Sequence, residues 1–172
     1  MANEGWLERM PWQRWAFQPM LDSVKGYEDG YRFRALIEPG ALRQPGYHLP
    51  VETIARLRAV QLDFLRDNAR YSDAEAFEIG SAFHEALVGA SGNSFLLDSL
   101  RRVNSVRRLF EYRAKRDRSY LDKQYREHIA LLDLIEAGEL EQAARLMEKH
   151  LGGAGKMKAR LVSQPQVRTP RG

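Results

Sequence analysis

Three of the four histidines in this chain, His84, His128 and His150, fall on the apolar faces of three different predicted helices. A neutral imidazole in a protein interior needs a partner, because burying it without one costs roughly 1–3 kcal/mol. Three rings that point inward suggest a shared partner, and a divalent metal ion is the simplest candidate. The alternative is that each ring bonds to its own carbonyl or carboxylate in a packed core. The fourth histidine, His48, lies in a predicted loop and is assigned no role.

The composition limits what such a site can contain. The 172 residues suit one domain, and the absence of cysteine excludes disulfides, thiolate metal ligands and a cysteine nucleophile. Any metal must therefore bind nitrogen and oxygen. No apolar stretch approaches the roughly 18–20 residues that span a bilayer, and the chain does not begin with the apolar run of a signal peptide. We therefore expect a cytoplasmic protein without a membrane partner.

The net charge of +4 is a weak indication of nucleic-acid binding. The excess arginine and lysine residues are dispersed or lie in the C-terminal tail, a distribution that is typical of a solvated surface and a frayed end.

The hydrophobic pattern is helical almost throughout, so we predict an all-α fold, an antiparallel bundle of six or seven helices. The predicted helices cover about 20–38, 51–68, 72–90, 94–113, 119–137 and 139–151. Pro39 and Gly40 are expected to end the first helix, and Ser72 with Glu75 forms a capping box that opens the third. Residues 1–17 are predicted to be an N-terminal arm or linker, 18–160 the domain, and 161–172 a disordered tail.

The spacing of two histidines around a glycine turn predicts that they meet. His128 lies ten residues before Gly138 and His150 twelve residues after it, and the short turn indicates an antiparallel helical hairpin. At about 1.5 Å per residue the two rings lie roughly 15 Å and 18 Å from the turn, and therefore at nearly the same level. His84 must come from another part of the bundle.

Polar residues also interrupt the apolar stripes of two helices. Arg34 and Glu38 share the stripe of the first helix, which indicates either an internal ion pair or an arginine that projects into a cavity. Arg107 lies near the middle of the stripe of the fourth helix, and Asn104 flanks it. Guanidinium groups bind carboxylates with two donors, so Arg34 and Arg107 are candidate effector ligands, with Asn104 adding a hydrogen bond. For Arg107, an interhelical salt bridge or a dimer contact is the alternative.

Several of these segments resemble a known family. AFHEAL at 82–87, followed by ASGN at 90–93, resembles the FHxxL…ASGN segment of the FCD domain, the FadR-type C-terminal domain of GntR-family transcription regulators. The segment 127–151 is similar to the family's closing signature, EH…AGD…A…M..HL, and RALIE at 34–38 is similar to its first-helix pattern. The resemblance covers about residues 20–151.

The resemblance implies a helical bundle around a central cavity that binds a small carboxylic acid. It also implies a homodimer, and in many members a divalent metal held by three histidines and one aspartate, so we expect zinc, nickel or manganese at His84, His128 and His150. The family aspartate corresponds to Gly80, which supplies no ligand and should weaken metal binding. The alternative is therefore a metal-free site in which the three histidines bind the anionic effector directly. The family binds DNA through a winged-helix head, for which residues 1–17 are too short. We therefore expect a fragment of a longer regulator rather than a head-less relative.

The expected function is thus the ligand-sensing and dimerisation domain of a GntR-type transcription regulator, and not an enzyme. The enzyme alternative is a small three-histidine metal hydrolase or oxygenase, which needs an open metal position and a general base beside it. A third possibility is a structural helical adaptor whose histidines bond to the backbone. A polar central cavity favours the sensor, and a dry, packed centre favours the adaptor.

Overall fold

The computed structural model describes residues 7–9, 15–17, 24–111 and 118–162. Within these residues lie six α-helices, one 3-10 turn and a pair of three-residue strands. The helices are α1 Val24–Leu42, α2 Val51–Arg66, α3 Asp73–Gly89, α4 Ser94–Glu111, α5 Arg118–Glu136 and α6 Leu140–Val162, and the 3-10 turn is Asn68–Arg70. Strand β1 Leu7–Arg9 pairs antiparallel with β2 Trp15–Phe17. The prediction of an all-α bundle is confirmed.

Local capping signals set several of the helix ends. The Ser72 hydroxyl accepts from the Glu75 amide while the Glu75 carboxylate accepts from the Ser72 amide, which is the predicted capping box. The Asn93 side chain accepts from the first amides of α4. Gly138, with a φ of +77°, ends α5 in a Schellman motif, because the Glu139 amide donates to Leu134 and the Gly138 amide to Ile135.

The first helix does not end where the sequence predicts. Helix α1 runs through Pro39 and continues to Leu42. Proline inside a helix costs about 3 kcal/mol, because its ring removes one hydrogen bond and crowds the preceding turn. Beyond it, Ala41 and Leu42 are completely buried in the core, and their burial outweighs that cost.

Two further differences concern the ends of the chain. Helix α6 extends to Val162 instead of ending near Leu151. The interrupting pair Gly152–Gly153 costs only about 1 kcal/mol per residue relative to alanine, and helix-forming residues follow it. The β pair lies in the predicted arm, where strands of three residues are too short to show an alternating pattern. Most of the predicted disordered tail, residues 163–172, lies outside the described residues.

The helices pack in pairs around α1. Helix α6 lies along α1 and forms the antiparallel hairpin with α5, α2 packs on α5, and α3 packs on α4. The main apolar core draws on α1, α2, α3, α5 and α6. A second cluster, built around Phe64 and Tyr125, joins α2, α3 and α5. None of the helices in the described residues is both long and apolar enough to span a membrane.

Candidate metal centre

The structure brings the three predicted histidines together in the interior. His84 on α3, His128 on α5 and His150 on α6 are all buried, and one ring nitrogen of each lies within 4.8 Å of those of the other two. Nε2 of His128 and Nε2 of His150 are 3.3 Å apart. The matched height predicted from Gly138 accounts for this pair, and α3 supplies the third ring.

Each histidine uses its Nδ1 atom to reach an oxygen of a neighbouring side chain. Nδ1 of His84 is 2.6 Å from Oε2 of Glu38, and Nδ1 of His150 is 2.7 Å from Oε2 of Glu127. The amide oxygen of Gln61 lies 2.8 Å from Nδ1 of His128. These oxygens accept, so each Nδ1 carries the ring proton and each Nε2 presents a lone pair. Metal-binding histidines in proteins are held in this way, by an oxygen acceptor on the nitrogen away from the ion.

Lone pairs that converge in this way require a cation or a proton between them. Tetrahedral zinc, with Zn–N bonds of roughly 2.0–2.1 Å, sets neighbouring nitrogen ligands about 3.3 Å apart. The separation of the His128 and His150 nitrogens matches that distance. Burial is the main cause that lowers the pKa of His84, to about 3, and it also holds the pKa of His128 well below its usual range. Both rings are therefore neutral at pH 7, which is the form that binds a metal.

A buried ion pair supports the histidines from α1. Nε of Arg34 donates to Oε1 of Glu38 at 2.5 Å, and both side chains are buried. Burial raises the pKa of Glu38, but the Arg34 guanidinium and His84 outweigh it and bring that pKa down to about 2. Nη2 of Arg34 is buried without a hydrogen-bond partner. The carboxylate therefore stays charged, and the guanidinium keeps a donor for a further acceptor.

A small cavity of about 40 Å³ adjoins the rings. All three histidines line it, together with Arg34 and Arg107. A central cavity lined by polar side chains fits a sensor better than a packed structural adaptor. Its volume accommodates an ion and a group of the size of a water molecule, since one water needs about 10–15 Å³ on this measure.

Gly80 and Gln124 also line this cavity, on α3 and α5. A Cβ atom built on Gly80 meets no other atom within 4 Å, so the position of the family aspartate is open space. A side chain at residue 80 therefore has room beside the histidines. Gln124 lies one helical turn before His128 and was not assigned a role from the sequence.

The predicted effector residues occupy two layers. Arg34 and Arg107 line the cavity, whereas Asn104 does not. Asn104 accepts from Nη1 of Arg107 at 2.8 Å and donates to Glu85 at 2.9 Å, while Nη2 of Arg107 donates to the Tyr31 hydroxyl at 2.8 Å. Asn104 thus orients Arg107 rather than facing the cavity.

Sequence reasoning missed the three oxygen acceptors of the histidines. The clearest signal was Gln61, a polar residue on the buried stripe of α2 that also carries Ile54, Leu57 and Phe64. Glu38 was assigned to Arg34 alone, although its second oxygen reaches His84 across 46 residues of chain.

A bundle of antiparallel helices with a polar, histidine-lined cavity at its centre defines an all-α ligand-binding domain. The family model described as the FCD domain matches residues 29–153, and the chain belongs to this family. A search of curated proteins finds no match.

Solved structures share the fold at low sequence identity. One is reported for Lar, which controls the expression of the Listeria monocytogenes agr system and mediates virulence. It is 11% identical with a TM-score of 0.71, over 93% of this chain and 75% of that one. Another is a transcriptional regulator, a GntR family member, from Pseudomonas syringae pv. tomato str. DC3000, 20% identical with a TM-score of 0.61, over 95% of this chain and 68% of that one. Together with the family match, they support an effector-binding domain of the transcription-regulator type.

Proposed function

We propose that this FCD domain senses a small carboxylate effector through a divalent metal ion held by His84, His128 and His150. The observation that carries the proposal is the engagement of all three Nδ1 atoms by oxygen acceptors, which leaves three Nε2 lone pairs converging in the interior. Zinc, nickel and manganese all accept such nitrogen donors. The ion supplies a concentrated positive charge that attracts ligand oxygens.

The charges around the rings favour an anionic effector. Glu38 and Glu127 balance Arg34 and Arg107, so a divalent ion at the histidines leaves a surplus of positive charge in a buried space. A carboxylate neutralises that surplus and gives the free Nη2 donor of Arg34 an acceptor. The open space at Gly80 leaves room for effector oxygens where the family has a protein carboxylate.

The size of the cavity suggests how binding becomes a signal. A cavity of about 40 Å³ is smaller than most organic acids, so entry of one requires α1, α3 and α5 to shift relative to one another. An effector that binds the shifted arrangement of helices more tightly increases the population of that arrangement. We further propose that the domain works as a homodimer within a regulator whose winged-helix head makes the DNA contact.

The rival function, a three-histidine hydrolase or oxygenase, needs a general base that is free to take a proton. Glu38 and Glu127 each bond a ring nitrogen. This arrangement favours a role for both carboxylates in orienting the histidines that hold the ion.

Calorimetric titration of the purified chain with zinc, nickel and manganese tests the metal site. We expect one ion per chain, a matched loss of binding in His128→Ala, and unchanged binding in His48→Ala, whose ring is exposed in the loop before α2. Unchanged binding in His128→Ala would overturn the proposed ligand set.

A thermal-shift screen with acetate, lactate and citrate, with and without the ion, tests the effector class. We expect stabilisation by an acid to be larger in the presence of the ion. Equal stabilisation in both conditions would contradict the coupling between the two.

A further inference from the structure

A second and larger cavity, of about 430 Å³, opens between α1 and α4, on the other side of Arg107 from the histidines. Its lining is mostly apolar and includes Phe33 from α1 and Val103 and Val106 from α4. Its volume is of the size that holds a large side chain or a small ligand.

Two protruding apolar side chains lie on the same face of these helices. Phe95 is 84% exposed and precedes Ser99 of the cavity lining by one turn of α4. Leu36 is 77% exposed and follows Phe33 by nearly one turn of α1. A mostly apolar cavity with exposed apolar side chains beside it is typical of an interaction surface.

The two helices run antiparallel where they form this face. Gly30 lies against Val103. Ile37, two turns later on α1, packs on the same apolar cluster as Leu96 and Leu97, which lie earlier on α4. The protruding side chains therefore cluster near one end of the face, and the cavity lies towards the other.

We infer that this α1–α4 face is the contact with a second copy of the chain, in which Phe95 of each copy fills the cavity of the other. Phe95 and Val103 are eight residues apart, about 12 Å along the helix. A two-fold axis at Ser99, midway between them, places each projection over the opposite hollow. An interface of this kind is self-complementary, as two-fold symmetry requires. The inference rests on the homodimer of the proposed function and names its surface.

The residues around Ser99 suit such an axis. Ser99 is small, which allows close approach of the two α4 helices. Asp98 is exposed and has a 3.8 Å contact with Arg101, while Arg102 has no hydrogen-bond or ion-pair partner within the described part of the chain. With the helices antiparallel about Ser99, Asp98 of one copy lies within a turn of Arg102 of the other, so opposite charges meet on both sides of the axis.

Sedimentation velocity of the chain over a range of concentrations tests the surface. We expect a dimer whose dissociation constant rises by about tenfold or more in Phe95→Asp, because buried aromatic anchors dominate interface energies. The matched control is Leu62→Asp, which charges an exposed apolar residue on α2 and should leave the dimer intact. A monomer at all concentrations would overturn the inference, and so would a dimer that Phe95→Asp leaves unchanged.

The absence of cysteine allows a second, geometric test. In Ser99→Cys the two new thiols lie across the proposed axis, within reach of the roughly 4.4–6.8 Å between Cα atoms that a disulfide needs. Mild oxidation should link most of the chains into covalent dimers, whereas Ala59→Cys on the exposed side of α2 should give few. Equal, low yields from both variants would exclude this axis.

These outcomes are distinguishable from failure of the metal proposal. Phe95→Asp should bind zinc like the unaltered chain, and His128→Ala should dimerise like it. If the chain dimerises through another face, the homodimer of the proposed function stands and only the α1–α4 surface is excluded. A chain that stays monomeric and is stabilised by a small apolar compound such as toluene would assign the cavity to a ligand instead.

Discussion

Charged side chains form connected sets of contacts between helices at two kinds of place in this molecule, at the surface and around the buried histidines. At the surface, Arg43 after α1 donates to Glu141 and Glu148 on α6, at 2.8 Å in each case. Arg58 on α2 similarly pairs with residues of α5. In the interior, Arg34, Glu38 and His84 form one connected chain of contacts. In both places one charged group contacts two partners, Arg43 at the surface and Glu38 in the interior, but the surroundings differ.

Water accounts for the difference between the two places. An exposed arginine that loses its carboxylate regains water, so surface pairs contribute about 0–1 kcal/mol. In the interior no water replaces the missing partner, and the loss of one group leaves the next one charged and unsatisfied. The buried groups therefore depend on one another for their partners. We expect a substitution among them to lower the free energy of unfolding more than a substitution in a surface pair.

The largest expected effect comes from removing the buried charge. Glu38→Gln keeps the shape of the side chain but leaves Arg34 without its counter-charge, so the free energy of unfolding should fall by about 3–5 kcal/mol. Denaturant titration measures the change. The control is Glu148→Gln, at the exposed Arg43 pair, which should change it by about 1 kcal/mol or less. Equal losses of unfolding free energy in the two variants would contradict the expected difference between the interior and the surface.

The next effect sharpens the role of the buried site. Gly80→Asp places a carboxylate in open space beside the histidines, so zinc affinity measured by calorimetry should rise by about tenfold or more. Gly80→Asn has nearly the same shape without the charge, and separates ligation from the gain that any side chain brings at a helical glycine. An equal rise in both variants would contradict metal ligation at this position.

A smaller effect is expected at the second surface cluster. Arg58→Ala removes the contacts to Asp133 and Glu136, and the free energy of unfolding should fall by about 1 kcal/mol or less. Thermal unfolding at low and high salt measures it, and the difference from the unaltered chain should shrink as salt rises. A loss as large as that of Glu38→Gln would show that this pair is not a surface pair in energetic terms.

The smallest effect is a dependence on pH at Glu141. Hydrogen bonds from Arg43 and Arg145 lower the pKa of Glu141 from its usual value near 4.5 to about 2. A carboxyl whose pKa is lower in the folded state stabilises the fold above pH 4.5 and loses that contribution as the pH falls towards 2. Glu141→Gln should therefore flatten the stability profile slightly in this range, and 1 M salt should remove the difference between the two chains. A difference that persists in high salt would contradict the screened, exposed setting of this group.

Local rules predicted those parts of the site that depend on nearby residues. The heights of His128 and His150 follow from counting residues to Gly138, because a Schellman turn fixes the hairpin locally. The helix periods likewise placed Arg34, Arg107 and the three rings towards the interior. Each of these inferences needs only the geometry of one helix or one turn.

The remaining contacts of the site depend on how separate helices pack against one another. The hydrophobic period of a single helix does not determine that packing. Gln61 meets His128 across 67 residues, and Glu38 meets His84 across 46. Pro39 shows the same limit in the opposite sense, since a local rule for ending a helix was overridden by the burial of Ala41 and Leu42. The interaction surface on α1 and α4 was not predicted, because the sequence does not show that the exposed Phe95 lies beside a cavity.

Long-range proton–nitrogen NMR of the histidine rings tests the central claim most directly, since it reports on each ring nitrogen separately. Before zinc is added, His84, His128 and His150 should each carry the proton on Nδ1. With zinc, the Nε2 signals of these three rings should shift together at one equivalent, while those of His48 stay unchanged. Nε2 signals that remain where they were, or shift only at His48, would contradict a metal centre in the interior.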